Sequence, residues 1–170
     1  MNHKVSIVIP AYNAELTIEK CVRSIMRSVN NTGASEIFET IVINDGSTDK
    51  TKKIISNLSG VRIINHERNL GLSSARNSGI NHSNSDYIIF IDSDIVISKN
   101  WVHSMYESMR EHKDIIGVTG DIGSEPNKKI SSLDRYLFGK FRGIKNIKID
   151  TPLNYKFFVF SNTIVRRNIL

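Results

Sequence analysis

Cysteine is almost missing from this chain: Cys21 is the single one in 170 residues. An internal disulfide is therefore excluded, and a reducing compartment is expected. Cys21 falls with Ile18, Val22, Ile25 and Val29 at helical spacing, which reads as core packing rather than a reactive thiol. Long apolar runs are also lacking. No stretch reaches the about 18 residues that a membrane-crossing helix needs. The apolar run Val5–Ile9 is too short for a secretion leader and has no small-residue cleavage site behind it. There is no internal repeat and no low-complexity tract.

What is present suits one domain with a real core. The net charge of +6 is concentrated rather than spread. Residues 126–149 hold seven bases (Lys128, Lys129, Arg135, Lys140, Arg142, Lys145 and Lys148) and one acid, Asp134, which leaves 16 of each sign elsewhere. Such a segment is either a solvated face or a contact surface for an anionic partner. Its bases interleave with Phe138, Phe141 and Ile144, a pattern that can lie on an anionic membrane.

Short apolar runs alternate with amphipathic stretches. Strands are expected over Val5–Ile9, Thr40–Ile43, Val61–Asn65, Asp86–Ile91 and Ile115–Thr119. Helices are expected over Glu15–Val29, Asp49–Leu58, Leu72–Asn81 and Lys99–Glu111, with Thr17 or Asn13 and Ser47 or Thr48 as caps for the first two. The alternation implies a doubly wound, mostly parallel α/β sheet with helices on both faces. Beyond Gly120 a helix over 131–144 and a strand over Tyr155–Phe160 are expected.

Polar clusters follow the strands. Tyr87–Ile91 runs into Asp92-Ser93-Asp94. In extended chain, side chains two residues apart point the same way, about 6.6 Å apart at roughly 3.3 Å per residue. Two carboxylates so placed can hold a divalent cation such as Mg²⁺ or Mn²⁺, which takes its remaining ligands from water and substrate phosphates. Turn and cap chemistry explains an isolated Asp-x-Asp equally well. The first strand ends in Pro10-Ala11-Tyr12-Asn13-Ala14-Glu15. There Tyr12 either packs on the next helix or lies against a planar base. The second ends in Asn44-Asp45-Gly46-Ser47-Thr48-Asp49, with Asp45 placed to accept from a base N–H or a sugar hydroxyl. The stretch Asn69-Leu70-Gly71 through Ala75-Arg76-Asn77-Ser78-Gly79 is rich in small residues, as close backbone approach requires. Arg76 needs an acidic partner there, either Asp45 or a diphosphate.

As an ordered set, these motifs resemble the family 2 glycosyltransferases. The resemblance covers residues 4 to 120 closely and is looser beyond, where Ser161-Asn162 and Arg166-Arg167 are similar to the family's acceptor-side segment. It implies a GT-A fold, a Rossmann-like nucleotide half joined to an acceptor half. Residues 1–120 would be the nucleotide-sugar-binding half and 121–170 the incomplete start of the acceptor half. It implies a nucleotide-sugar donor, most often a UDP-sugar, a saccharide or lipid-linked saccharide acceptor, inversion at the anomeric carbon, and a divalent cation, Mn²⁺ or Mg²⁺. The product class would be a cell-surface polysaccharide or glycoconjugate. Carried over, Pro10, Ala11, Tyr12, Glu15, Asp45, Arg76, Asp92 and Ser93 serve the nucleotide, and Asp94 with Asp92 the metal. The family's catalytic base is expected beyond Leu170, and Asp121 is the candidate inside the chain.

Two other classes compete with transfer. One is a non-catalytic nucleotide-sugar binding module. The other is a receiver-like signalling domain, which also gathers acids at strand ends. No nucleic-acid partner is expected, since only the basic segment would support one. The expected location is cytoplasmic, with residues 126–149 as a contact to the cytoplasmic side of a membrane.

Overall fold

The computed structural model describes residues 4–120 and 161–170, which fall in one compact unit. In chain order the elements are β1 (Val5–Ala11), α1 (Ile18–Asn30), β2 (Phe38–Asn44), α2 (Thr51–Ser56), β3 (Arg62–Asn65), α3 (Leu72–Asn81), β4 (Tyr87–Phe90), α4 (Trp101–Glu111), β5 (Gly117–Thr119) and β6 (Thr163–Arg166). They build a six-stranded sheet in the order β3-β2-β1-β4-β6-β5. Strands β1 to β4 are mutually parallel, while β6 runs antiparallel to both β4 and β5.

β1 is the central strand, and all seven of its residues are buried. Its unbroken apolar character follows from being covered on both faces. Alternation separates those faces. Val5, Ile7, Ile9 and Ala11 enter a core with Ile18, Cys21, Val22 and Ile25 of α1 and Val102, Met105 and Met109 of α4. Val8 points the other way, toward α3. There Gly79 lies so close that an added Cβ would sit 2.2 Å from Val8 Cγ1. Helices thus cover both faces, as the alternation predicts. Gly79→Ala should destabilise the fold by about 1–3 kcal/mol through overpacking. A fall of several degrees in Tm would register it, whereas an unchanged Tm would mean that α3 can move off the sheet at no cost.

The strand Thr163–Arg166 is not foreseen in the sequence reading. Its insertion separates β4 from β5. Arg166 then closes the far side of the sheet. Its Nε donates to Ile115 O at 2.9 Å, and its Nη2 donates to Met109 O, His112 O and Lys113 O at the end of α4. The guanidinium also lies 5.5 Å over the Tyr87 ring. Of these, Met109 O belongs to the last turn of α4, whose carbonyls have no partner within the helix.

Among the described residues no helix is long and apolar enough to cross a membrane. The expected helix over 131–144, the expected strand over Tyr155–Phe160, the basic segment 126–149 and Asp121 all lie outside the described residues.

Candidate functional site

The strand order turns between β1 and β4, and ligands of open α/β sheets bind beyond the carboxyl ends at such a point. A cleft of about 460 Å³ opens there. The end of β1 contributes Pro10, Ala11 and Tyr12, the end of β2 contributes Asp45, and the segment after β4 contributes Asp92, Ser93 and Asp94. Asn69, Gly71, Leu72 and Ala75 form the wall on the α3 side. Seven of the site residues read from the sequence therefore share one cavity. Glu15 and Arg76 do not line it.

The loops that shape the cleft are clasped together by polar bonds. Asn13, at φ +48°, accepts from Thr48 N at 2.9 Å, and its own N–H donates to Ser47 Oγ. Ala14 N donates to Thr51 Oγ1 at 2.7 Å. Glu15 N donates to Asp49 Oδ2 at 3.0 Å, and Lys50 N donates back to Glu15 Oε2 at 2.9 Å. The Glu15 carboxylate is thus turned to the start of α2. Asp49 also accepts from Thr51 N. It holds that helix end in place of the expected Ser47 or Thr48 cap. Thr17 takes the N-cap position of α1 without a side-chain bond to the helix.

Asp45 is almost wholly buried, at 3% exposure. Its Oδ1 accepts from Leu70 N at 3.0 Å and from His66 Nδ1 at 2.6 Å, and its Oδ2 accepts from Gly71 N at 2.9 Å. Burial by itself would raise the carboxyl pKa. The bonds from Leu70, His66 and Gly71 outweigh it and hold Asp45 below the usual carboxylate range. Gly46 follows at φ +66°. A Cβ there would stand 2.3 Å from the Arg68 carbonyl carbon. The β2 end can approach the segment before α3 this closely only with glycine at that position.

Arg76 pairs with Asp92 rather than with Asp45, through Nη2 to Oδ1 at 2.9 Å. Both acids stand at strand ends beside α3, but the oxygens of Asp45 are already engaged by backbone and imidazole. Arg76 Nε is buried without a hydrogen-bond partner among the described residues. Beneath the same turn, Cys21 Sγ donates to Asp92 O at 3.6 Å. Burial, followed by the fields of Asp94 and Asp92, pushes the Cys21 thiol up to about 12. It stays protonated and inert, as its helical spacing suggests.

Asp94 is exposed at the cleft and forms no hydrogen bond or ion pair with the described residues. Asp92 keeps one carboxylate oxygen clear of its bond to Arg76. No cluster of three or more His, Cys, Asp or Glu suited to a metal occurs among the described residues. Two carboxylates on an open cleft do not make a closed structural site. They fit a hard divalent cation that draws its other ligands from water and phosphate.

Sequence and structure comparisons converge on one family. The profile described as "Glycosyl transferase family 2" matches residues 6–170. The chain belongs to glycosyl transferase family 2. Its relatives include the glycosyltransferase GlyA of Streptococcus pneumoniae, 36% identical over 121 residues, which cover 69% of this chain and 17% of that protein. Staphylococcus aureus TarS 1–349 in complex with UDP superposes with a TM-score of 0.66 at 21% identity, over 98% of this chain and 48% of that one. The same TarS region is also solved with UDP-GlcNAc. A mannosyltransferase from Pyrobaculum calidifontis, in complex with GDP-Man and Mn²⁺, superposes with a TM-score of 0.63 at 17% identity, over 72% of this chain and 36% of that one. The fold is therefore GT-A. The chain spans less than half the length of these proteins.

Among the cleft's supports, His66 escapes sequence reasoning. A lone histidine after a short, half-exposed strand carries no pattern. Its pairing with Asp45 depends on how β2 and β3 are brought into register.

Proposed function

We propose that this chain carries the donor-binding part of an inverting, metal-assisted glycosyltransferase that uses a nucleotide-sugar, with a UDP-sugar as the leading candidate. The observation that carries the reading is the convergence of Tyr12, Asp45 and the Asp92-Ser93-Asp94 turn on one cleft at the strand ends. Membership of the family and the nucleotide-bound state of its structural neighbours support it.

In this reading Pro10, Ala11 and Tyr12 line the nucleoside, and Asp45 accepts an N–H from the base edge. Asp94 and Asp92 would hold a divalent cation, for which the Mn²⁺ in the mannosyltransferase neighbour is the precedent. Bound there, the cation would supply Lewis-acid stabilisation of the departing diphosphate. Arg76 fixes the Asp92 carboxylate toward that position. Transfer forms a bond from an acceptor oxygen to the anomeric carbon and breaks the bond from that carbon to the diphosphate. The acceptor proton passes to a general base, which family resemblance makes acidic. Residues 1–120 would serve the donor and 121–170 would open the acceptor side, with β6 returning to the donor sheet. The acceptor would be a saccharide or a lipid-linked saccharide.

The receiver-like alternative fits poorly, because both oxygens of Asp45 are engaged and the residue is buried. A thermal-shift screen tests the proposal. UDP with Mn²⁺, at about a hundredfold over its Kd, should add about 2.7 kcal/mol of stability. The absence of a shift with every nucleoside diphosphate and either metal would overturn it.

A further inference from the structure

We infer that His66 is a positioning residue for the donor, which orients Asp45 so that the cleft takes a base presenting an N–H at its edge. The inference rests on the donor-site reading above and assigns a role to a residue that does not line the cleft.

The contact with Asp45 constrains the Nδ1 proton. An ionised carboxylate only accepts, so the 2.6 Å contact requires His66 Nδ1 to carry hydrogen and donate to Asp45 Oδ1. In the neutral ring, Nε2 is then the acceptor for the Ser78 hydroxyl at 2.8 Å. Ser78 belongs to α3, whose Gly79 is pressed onto β1. The imidazole is therefore held from two sides, with 10% side-chain exposure. The His66 backbone N–H donates to Asn44 O at 2.9 Å, which ties His66 to the residue before Asp45.

A carboxylate offers about four acceptor positions. Leu70 N, Gly71 N and His66 Nδ1 occupy three of those on Asp45. One position is left on a residue that lines the cleft. Because the other positions are taken by donors fixed in the protein, the carboxylate cannot rotate without losing one of them. What remains is a single, oriented, acceptor-only contact. Uracil and guanine offer a ring N–H to it. Cytosine presents a bare ring nitrogen at the matching place and leaves the buried carboxylate facing a lone pair, a mismatch that binding sites reject strongly. His66 thus governs base selection through Asp45 without touching the base.

Calorimetric titration of the whole chain with UDP, CDP and Mn²⁺-pyrophosphate tests this. The wild-type chain should prefer UDP to CDP by about tenfold or more. His66→Ala should lower UDP affinity about ten- to a hundredfold, the range found when a residue that orients a metal ligand is removed. It should also shrink the UDP-to-CDP preference and leave pyrophosphate affinity unchanged. His66→Asn places an amide N–H where Nδ1 stood and should recover most of the preference. Should His66→Ala fail to fold, His66→Leu, which fills the space without a donor, gives the same comparison against His66→Asn, with the smaller loss expected in His66→Asn. An unchanged preference in His66→Ala overturns the inference. So does an equal loss for all three ligands that His66→Asn does not relieve. If the wild-type chain binds no UDP, the donor-site reading itself has failed, and that outcome is distinct from the others.

Discussion

Replacing Asp94 by asparagine is expected to weaken Mn²⁺-dependent UDP binding by about a hundredfold or more. Outer-shell partners of a metal cost about 10–100-fold when removed, and a directly ligating charge should cost at least as much. The fold should be spared. Asp94 is exposed and bonded to none of the described residues, so its loss strands no buried group. Substitutions of that kind stay within about 0.5 kcal/mol. Asp92→Asn should behave differently. It disturbs the half-buried pair with Arg76 at 2.9 Å, so nucleotide affinity should fall more and metal affinity less than in Asp94→Asn. Calorimetric Mn²⁺ affinity unchanged in Asp94→Asn would reduce Asp92-Ser93-Asp94 to a turn.

The second large effect belongs to Asp45. Asp45→Asn keeps the size but sets an amide NH₂ against at least one of the three N–H donors that converge there. About 1.5–3 kcal/mol of stability should go, the range for a hydrogen bond to a charged group. UDP binding should go with it. The same group sets an acid limb. Its pKa is below the ordinary value when folded, so its contribution is complete above the unfolded value of about 3.9 and is lost as pH falls from there through the folded pKa. Asp49 acts in the same sense: bonds from Thr51 and Glu15 overcome its burial and lower its pKa. Urea denaturation from pH 6 to pH 2.5 should show a shallower loss in Asp45→Asn than in the wild-type chain. Parallel curves would mean that Asp45 titrates alike in both states.

Much of this was legible in the sequence because the signal was local. The buried runs Val5–Ile9 and Thr40–Ile43 could only be covered strands, and the acids and glycines after them could only fall at one sheet edge. The expected helix Leu72–Asn81 matches α3 residue for residue. What escaped was pairing between distant segments. β6 is four residues long and finds its partners in Tyr87–Phe90 and Gly117–Thr119, far back along the chain. In the sequence Glu15 reads as a pocket acid, yet its bond to Lys50 N depends on two loops that only the folded sheet brings together. For Arg76 the sequence points to Asp45 or a diphosphate, and the pairing with Asp92 instead goes with Asp45 being occupied already. Side-chain chemistry could be read from residue type, but the competition among partners could not.

The central claim is that one cleft beyond β1, β2 and β4 binds both nucleotide and metal. Amide NMR of the isotope-labelled chain tests it most directly, because Mn²⁺ is paramagnetic and broadens nearby signals. UDP should shift the amides of Ala11, Tyr12, Asp45, Leu70 and Gly71. Trace Mn²⁺ added next should broaden Ser93, Asp94 and Ile95 first. Changes centred instead on the separate groove lined by Arg27, Asn30, Asn31 and Lys99, or no change at all, would contradict the claim.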